Sequence, residues 1–313
     1  VAAWTSSVSM FAIFIVTAYI CRSALLPFIT DIYGDNYPAD QRGAFFSKSL
    51  ILSVGMAALF GFVGSLILEK DIEYYPLIFT FIGFCAFSKA IAIYFMPSKS
   101  MDQSPHENPF GNMKYAWQDR SFGYVLLTWF IMGFANLWTL PLRVDYVTSP
   151  QWGIEGSAIF VAMIITVIPE TMRMLLIPFW ARLFDKMNFV ILRMILNLSF
   201  AAGVLLFFIS SNPWIIGAGS ALIGVAFAGG SIAWNLWVTK YAPPGKTGAY
   251  MSVHVSLTGI RGTLGPMVGY WAVGLIGAQN IGILSCVMML VATLMLIPEI
   301  QHGRGKEIQR NDT

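Results

Sequence analysis

The chain has 313 residues, of which 57% are hydrophobic and 11% are charged, and its formal net charge is +3. Soluble domains carry roughly 25% charged residues, so this composition excludes an ordinary soluble enzyme or binding protein. The apolar residues form continuous runs of the length, about 20 residues, that a helix needs to cross a bilayer. They do not alternate with polar residues as the strands of a membrane β-barrel do. We therefore predict an all-α fold, a polytopic membrane helix bundle.

Nine membrane spans are predicted along the chain. Most connections are short and carry turn residues, as in SSNP at 210–213 and YAPPGKTG at 241–248. The segment 97–121 is longer and rich in Pro, Asn, Ser and charged residues, which predicts a linker between two groups of helices. A polar tail follows the last span from 299 onward. The predicted spans are 7–31, 46–67, 75–96, 122–141, 157–181, 189–210, 213–239, 248–273 and 278–298.

Lysine and arginine are unequally distributed between the two sets of connections. Cytoplasmic connections carry an excess of these residues, so the connection at 32–45, the linker at 97–121 and the C-terminus are predicted to be cytoplasmic. Nine spans then place Val1 on the outer side. The other set of connections holds only Lys70 and Arg143. The cations on or close to the predicted cytoplasmic side are Arg42, Lys48, Lys99, Lys114, Arg120, Arg182, Lys186, Arg193, Lys240, Lys246, Arg304, Lys306 and Arg310.

The chain contains an internal repeat. RGAFFSKSLILSVGMAALFGFVG, starting at Arg42, aligns with TGAYMSVHVSLTGIRGTLGPMVG, starting at Thr247, and Gly64 aligns with Gly269. Both copies begin in a predicted cytoplasmic connection and enter a span that leads outward, and the second copy comes six spans after the first. A same-orientation repeat of six spans is the parallel repeat of one large class of transporters.

Three segments resemble loops and helices of the major facilitator superfamily. NYPADQRGAFFS (36–47) looks like the loop between that family's fourth and fifth helices, and FWARLFDKMN (179–188) is similar to its G-x-L-x-D-R-x-G-R loop. GTLGPMVG (262–269) resembles the family's glycine-proline motif. In the second segment Ala181 and Asn188 stand where glycines are usual.

The resemblance implies a fold of twelve helices in two six-helix bundles, of which nine are present because three helices would precede the first span. It assigns 1–96 to the second half of the N-terminal bundle (helices 4–6) and 97–121 to a cytoplasmic linker. It assigns 122–298 to the C-terminal bundle (helices 7–12) and 299–313 to a cytoplasmic tail. It also implies that Asp185 faces a helix N-terminus of the same bundle as a conformational latch, where the helix dipole stabilises a negative charge.

Charged residues deep in the spans are the main candidates for function, since such a charge on a lone helix costs about 2.5–3.5 kcal/mol by insertion scales. Arg22 either binds an anionic or polar substrate in a cavity or packs against helix carbonyls. Glu170 and Arg173 lie three residues apart on one helix, so they can pair directly. The pair either couples transport to a proton carried by Glu170 or is a static ion pair. Pro169 cannot donate a hydrogen bond to Ile165, which predicts a loosened backbone there.

A polar stripe is predicted in the eighth span. His254 and Arg261 are two helical turns apart, about 10.5 Å along one face, and Thr258 lies between them on the same side. The stripe either lines a substrate path or makes hydrogen bonds between helices.

Aromatic and amide side chains in two further spans are candidates for substrate binding. Asn136 and Trp138 lie in one span, and Trp234 and Asn235 lie in another. By the resemblance, both spans line the central cavity, and aromatic faces with one amide suit a polar ligand with apolar edges. Trp237 lies close to Lys240, near the predicted membrane interface where tryptophan is common, so we predict an interfacial position for it.

No catalytic, nucleotide-binding or metal-binding motif is present, and Cys21, Cys85 and Cys286 fall in apolar runs that suit packing. We predict no enzyme activity, no cofactor and no metal. The predicted function is a secondary active transporter for a small polar or anionic solute, working by alternating access, with protons or sodium as coupling ion. The alternatives are a membrane-embedded enzyme, a uniporter, or a transporter-like sensor or partner protein. The expected partners are the substrate and the lipid bilayer, without nucleic acid, for a monomer in the bacterial inner membrane.

Overall fold

The computed structural model describes residues 4–5, 7–38, 41–97, 109–154, 156–243 and 245–302, and these residues form helices without a β-strand. The all-α prediction is therefore confirmed. The helices are α1 (Val8–Asn36), α2 (Arg42–Lys70), α3 (Tyr75–Tyr94), α4 (Tyr115–Gln118), α5 (Arg120–Leu137), α6 (Leu142–Thr148), α7 (Ala158–Ala162), α8 (Ile168–Lys186), α9 (Phe189–Ile209), α10 (Pro213–Leu236), α11 (Val238–Tyr241), α12 (Thr247–Ile276), α13 (Ala278–Leu294) and α14 (Ile297–His302). A π-helix, Met163–Val167, joins α7 to α8.

All nine predicted spans coincide with helices. Among the described residues, seven helical stretches are long and apolar enough to cross a membrane by length and composition. The helices α2 and α12, which carry the two copies of the repeat, are 29 and 30 residues long and are outside this set. The seven stretches are Val8–Thr30, Tyr75–Tyr94, Arg120–Thr148, Phe160–Lys186, Phe189–Ile209, Pro213–Leu236 and Ala278–Ile300.

The connection predicted at 32–45 is much shorter in the structure, because α1 continues to Asn36 and α2 begins at Arg42. The Asn36 side-chain amide donates 2.9 Å hydrogen bonds to the carbonyls of Ile32 and Pro97. The bond to Ile32 lies within the last turn of α1. The bond to Pro97 joins the end of α1 to the segment that follows α3.

Several helices begin at side chains that cap them. The carboxylate of Asp119 accepts a hydrogen bond from the Phe122 amide at 3.1 Å, at the start of α5. Asn188 accepts from the Val190 amide at 2.8 Å, at the start of α9. Such caps satisfy amide groups that have no acceptor within the helix, and they explain why the spans begin where they do.

The second part of the predicted linker is folded onto the bundle. Pro109–Lys114 forms a 3₁₀-helix that leads into α4, and buried Tyr115 stacks on Tyr250 of α12 with 4.9 Å between ring centroids. The predicted tail also starts too early, because Glu299 lies buried in α14 and accepts a hydrogen bond from Ser121. The linker residues 98–108 and the tail residues 303–313 lie outside the described part.

The helices pack as two groups, an N-terminal group (α1–α3) and a C-terminal group (α5–α14). The buried core lies in the C-terminal group, where α10 packs on α8 and α9, and α13 packs on α9 and α5. None of the α3 side chains is buried. Between the groups, α2 packs along α8 and touches α10, while α1 packs against α12. Helices α1 and α2 therefore make the main contacts between the two groups.

Candidate functional site

The carboxylate of Asp185, near the end of α8, connects the two helix groups. It accepts hydrogen bonds from the backbone amides of Gly43 at 2.9 Å and Ala44 at 3.1 Å, in the first turn of α2. The residue before α2, Gln41, makes no capping hydrogen bond with its side chain. Asp185 therefore caps α2 from another helix, with a charge that the helix dipole also stabilises. We call the contact of Asp185 with Gly43 and Ala44 the latch.

The latch corrects one sequence-based expectation. Asp185 was expected to face a helix N-terminus in its own bundle, yet α2 belongs to the N-terminal group and α8 to the C-terminal group. Asp185 reaches α2 because α2 packs closely against α8 at Gly43. A Cβ atom at this position would lie 2.8 Å from the carbonyl oxygen of Ala181 and 2.8 Å from Asp185 Oδ1. Only glycine lets the first turn of α2 approach α8 so closely.

The two helices run antiparallel away from the latch. A Cβ atom at Gly55 of α2 would lie 3.5 Å from Met174 Sδ of α8, an ordinary van der Waals distance. Glu170 is one turn farther along α8 on the same face as Met174. The ion pair of Glu170 thus lies on the α2-facing side of α8, at the opposite end of the contact from Asp185.

Partly buried polar groups surround the latch. Arg42 Nε donates to the Tyr37 carbonyl at 3.2 Å, and burial lowers the pKa of the Arg42 guanidinium, which remains a cation at neutral pH. Burial raises the pKa of the neighbouring Tyr33 hydroxyl. On the C-terminal group, Lys240 Nζ donates to the Phe184 carbonyl at 2.9 Å. This ammonium group is close to the C-terminal end of α8, where the helix dipole favours a cation.

The predicted pairing of Glu170 with Arg173 is confirmed. Arg173 Nη1 donates to both carboxylate oxygens of Glu170 at 3.2 Å, and about a quarter of each side chain is exposed, 23% for Arg173 and 26% for Glu170. The pair is therefore accessible from one side rather than sealed in the core. This arrangement permits Glu170 to exchange a proton or a partner, and it equally permits a static ion pair.

The backbone before Glu170 is irregular, as Pro169 predicts. Met163–Val167 forms a π-helix, and the Ile168 amide donates to the Met163 carbonyl in the π pattern. The next donor would be Pro169, which has no N–H, so the Ile164 carbonyl lacks its backbone partner. The Ser220 hydroxyl of α10 donates to that carbonyl instead. A π-bulge of this kind is frequent at functional sites.

The polar stripe on α12 has the predicted geometry. Arg261 Nη2 donates to Thr258 Oγ1 at 3.0 Å, and Thr258 Oγ1 donates to the His254 carbonyl at 2.9 Å. Arg261 Nη1 also donates to the Trp129 carbonyl of α5. His254 and Arg261 are only 1% and 5% exposed, so both lie inside the C-terminal group. Their burial favours contacts between helices over contact with solute in this conformation.

Arg193 was counted among the predicted cytoplasmic cations, but it is buried inside α9. Its side chain is 3% exposed, and its guanidinium carbon lies 3.6 Å from the ring centroid of Trp129. Arg193 Nη2 also contacts Met132 Sδ at 3.0 Å. Arg193 and Trp129 are candidate site residues that sequence reasoning missed. The sequence feature that could have indicated Arg193 is its position as an arginine inside the N-terminal end of a long apolar run.

Trp237 was predicted to face the membrane interface, but its side chain is fully buried among other helices. It stacks on Phe122 and Trp129, and its ring lies 5.4 Å from that of His254. The correction follows from packing, because an aromatic cluster from four helices encloses this side chain. Trp234, which is partly buried, lies 5.4 Å from the His254 ring on another side.

Arg143 is a third buried arginine, although the sequence placed it in a connection. It is 5% exposed on α6 and donates from Nη2 to Asn136 Oδ1 at 2.7 Å and Thr139 Oγ1 at 3.4 Å. Asn136 was proposed as a substrate ligand, and here it holds Arg143 at the turn between α5 and α6. Its neighbour Trp138 is buried and donates from Nε1 to Ser285 of α13, which favours a packing role.

Two further predicted ligands remain partly or fully accessible. Arg22 is exposed on α1, and Asn235 is partly buried, with its side-chain amide donating to the Ser231 carbonyl at 2.7 Å. The structure therefore does not bring all candidate ligands into one cluster. Among the described residues, no group of three His, Cys, Asp or Glu side chains is placed to hold a metal ion.

Residues 156–312 match the model of the Major Facilitator Superfamily. The chain belongs to this superfamily. Its members are membrane transport proteins, and the seven apolar helices agree with an integral membrane protein. The match covers α7 to α14 of the C-terminal group and so contains Asp185, Glu170, His254 and Arg261. A search of curated proteins gives no significant match.

Two solved transporters of this superfamily share the fold. The human organic anion transporter MFSD10 (TETRAN) superposes with a TM-score of 0.65 at 18% identity, over 87% of this chain and 67% of MFSD10. The Escherichia coli fucose:proton symporter FucP superposes with a TM-score of 0.61 at 14% identity, over 88% of this chain and 72% of FucP. At these identities the likeness concerns the fold alone.

Proposed function

We propose that this superfamily member is a secondary active transporter that moves a small polar or anionic solute by alternating access. The latch is the observation that carries the proposal. It joins the first turn of α2 to the end of α8 through two hydrogen bonds to one carboxylate. Alternating access requires two helix groups that rock against each other, and such a polar, solvent-reachable contact can form and break without exposing a large apolar surface.

In this proposal the structure represents a state closed at the cytoplasmic side. The latch lies at the end of the bundle to which the lysine and arginine pattern assigns the cytoplasm. The contact of α2 with α8 continues from Gly43 to Gly55, which closes the path between the two groups at that end. Opening toward the cytoplasm then means separating α2 from α8.

A cationic interior supports an anionic solute. Arg143, Arg193 and Arg261 are buried, while the acid Glu170 is already paired with Arg173. Buried guanidinium groups favour ligands with carboxylate or other acidic groups. MFSD10 is described as an organic anion transporter and FucP as a fucose:proton symporter, and those solutes are their own.

Glu170 is the proposed coupling residue, because it is acidic, partly exposed and paired with a single arginine. If a solute draws Arg173 away, the carboxylate loses its partner and gains affinity for a proton, since the neighbouring cation had favoured the charged form. The irregular backbone at Met163–Val167 gives this part of α8 the freedom to adjust. Protons are thus the proposed coupling ion.

The proposal is tested with the complete protein in proteoliposomes. A thermal-shift screen first identifies a stabilising solute, because a ligand of the folded state stabilises it by mass action. Glu170→Gln is then expected to lower proton-driven accumulation of that solute by about tenfold, while exchange without a gradient persists. The matched control is Glu73→Gln, an exposed acid in the connection between α2 and α3, which is expected to behave as wild type.

The other outcomes of this experiment distinguish the alternative functions. Unchanged accumulation by Glu170→Gln would show that Glu170 is not the proton carrier and leave transport intact. Solute movement that never exceeds equilibration would identify a uniporter. Solute binding without any flux in the wild type would contradict transport and favour a sensor or partner protein.

A further inference from the structure

Arg193 of α9 and Arg261 of α12 bring two positive charges into the interior of the C-terminal group. They are 3% and 5% exposed. In the described part of the chain, the bonds of Arg193 and Arg261 go to neutral groups: a methionine sulfur, a tryptophan ring, a backbone carbonyl and a threonine hydroxyl. No described carboxylate lies within salt-bridge distance of either guanidinium group.

Burying two guanidinium groups costs free energy when no negative charge lies beside them. The effective penalty for burying an ion is several kcal/mol, which neutral acceptors offset only in part. Glu170 does not neutralise this pair, because its carboxylate is engaged by Arg173 on α8. The two buried charges therefore call for an anionic partner from outside the described residues.

Unpartnered hydrogen-bonding atoms lie in the same cluster. Trp129 Nε1, Trp237 Nε1, His254 Nε2 and Arg261 Nε are all buried and have no hydrogen-bond partner among the described residues. The rings of Trp129 and Trp237 lie 5.1 and 5.4 Å from that of His254. Buried polar atoms in proteins are nearly always hydrogen-bonded, so a cluster of unpartnered ones indicates a missing partner. We call Arg193, Arg261, His254, Trp129 and Trp237 the cation cage.

We propose that the cation cage binds a small monovalent anion, either a halide ion or the carboxylate group of an organic acid. One anion accepts hydrogen bonds from several of the unpartnered N–H groups at once and offsets part of the charge of the two arginines. All five residues of the cation cage are at most 5% exposed, so an anion bound among them is shielded from bulk solvent. The inference rests on two of the buried arginines that also support an anionic solute in the proposed function, and it deepens that function by naming the site and the class of anion. Anion binding is measured as stability and transport as flux, so the failure of one is distinguishable from the failure of the other.

A glycine of α5 leaves space for the guanidinium group of Arg261. A Cβ atom at Gly133 of α5 would lie 2.2 Å from Arg261 Nη1. Any other residue there would displace the guanidinium group. The backbone of α5 thus makes space for Arg261 beside Trp129, four residues away on the same face of α5.

The test measures anion-dependent stability of the complete wild-type protein in detergent. Thermal unfolding is followed while chloride, or in a second arm acetate, replaces the bulky anion 2-(N-morpholino)ethanesulfonate at constant ionic strength. A saturable rise in unfolding temperature is expected, because an anion that binds the folded state stabilises it. A rise with chloride alone identifies a halide site, and a rise with acetate alone identifies a carboxylate site. No rise with either anion would overturn the proposal.

Single substitutions test whether the anion binds at the cation cage. Arg193→Gln and Arg261→Gln are each expected to weaken anion affinity by roughly tenfold or more, the loss of a charge-assisted hydrogen bond. Arg182→Gln, which removes an exposed cation of α8, is expected to leave the affinity unchanged. Trp129→Phe retains a ring beneath Arg193 and removes one N–H, so it keeps the test available if the arginine variants fail to fold. Wild-type affinity in Trp129→Phe and in the folded arginine variants would place the anion elsewhere and overturn the proposal.

Discussion

At the scale of the residue, the carboxylate of Asp185 caps α2, which the residue that precedes α2 does not do. Gln41 leaves the first amides of α2 without a side-chain cap, and Asp185 accepts from two of them. Asp119 provides the contrasting case, since it caps α5, the helix that directly follows it. Asp119 also accepts a hydrogen bond from the Tyr250 hydroxyl of α12 at 2.9 Å, within the C-terminal group. Both of these contacts of Asp119 therefore stay inside one helix group, whereas Asp185 connects the two groups.

Asp185→Asn is expected to weaken the closed state at the cytoplasmic side by about 1–2 kcal/mol, because it removes the charge that the α2 dipole stabilises. That is roughly a five- to thirty-fold shift in the equilibrium. The measurement is the rate at which a membrane-impermeant thiol reagent labels Ser47→Cys, a position 6% exposed one turn beyond Gly43. Faster labelling is expected in Asp185→Asn.

The background for this experiment replaces the exposed Cys21 and Cys85 by serine. Asp119→Asn is the matched control, because it alters a helix-capping carboxylate that does not bridge the two groups. Equal labelling rates in Asp185→Asn and its parent would show that the contact does not hold the two groups together. Faster labelling in Asp119→Asn as well would point to general loosening.

Sequence spacing predicts the residue-scale contacts within a helix and fails for those between helices. Glu170 meets Arg173, and Thr258 bridges toward Arg261, because residues three apart on a helix are neighbours. Arg193 and Trp237 were assigned to the cytoplasmic side and the membrane interface because each lies near the end of a span. Their burial depends on side chains from other helices, which one-dimensional spacing does not contain.

At the scale of the element, α12 shows what glycines do in a long, mostly apolar helix. Its glycines divide into two kinds. A Cβ atom at Gly269 would lie 2.2 Å from the Trp138 carbonyl oxygen, whereas one at Gly262 would meet no described atom within 4 Å. Small residues of the first kind let helices approach closely. Gly64, the residue that aligns with Gly269 in the repeat, would bring a Cβ atom only to 3.6 Å from Ile78, so the close approach belongs to the second copy.

Gly269→Ala is expected to destabilise the protein by about 1–3 kcal/mol, because a methyl group against a backbone carbonyl must displace α5 or α12. Gly262→Ala on the same helix is expected to be neutral or to stabilise by up to about 1 kcal/mol, from the higher helix propensity of alanine. Thermal unfolding of both variants measures the difference. Similar unfolding temperatures would show that α12 does not pack on α5 as described.

At the scale of the whole molecule, the antiparallel contact of α2 with α8 decides which end is closed. It runs from Gly43 beside Ala181 to Gly55 beside Met174. The resemblance predicted two bundles, and the structure adds where α1–α3 meet the other helices: α2 on α8 and α10, and α1 on α12. Transport by alternating access requires these contacts to open in each cycle.

A reversible cross-link between Gly55→Cys and Met174→Cys tests this motion. Oxidation is expected to join the two helices and abolish most solute uptake, because the side that must open is locked. Reduction is expected to restore uptake, and each single cysteine variant serves as a control for the substitution itself. Full uptake by the cross-linked protein would contradict separation of α2 from α8 as a step of transport.

The sequence by itself determined the helical membrane fold, the position of all nine long helices, the repeat and the Glu170–Arg173 pair. Each of these depends on hydrophobic run length or on spacing along one helix, which is present in the order of residues. Only the tertiary structure decided that Asp185 caps α2 rather than a helix of its own group, and that Arg193 lies against Trp129 beside His254 and Arg261. Those partners come from helices far apart in the chain, so packing between helices, and not periodicity within them, sets both the latch and the cation cage.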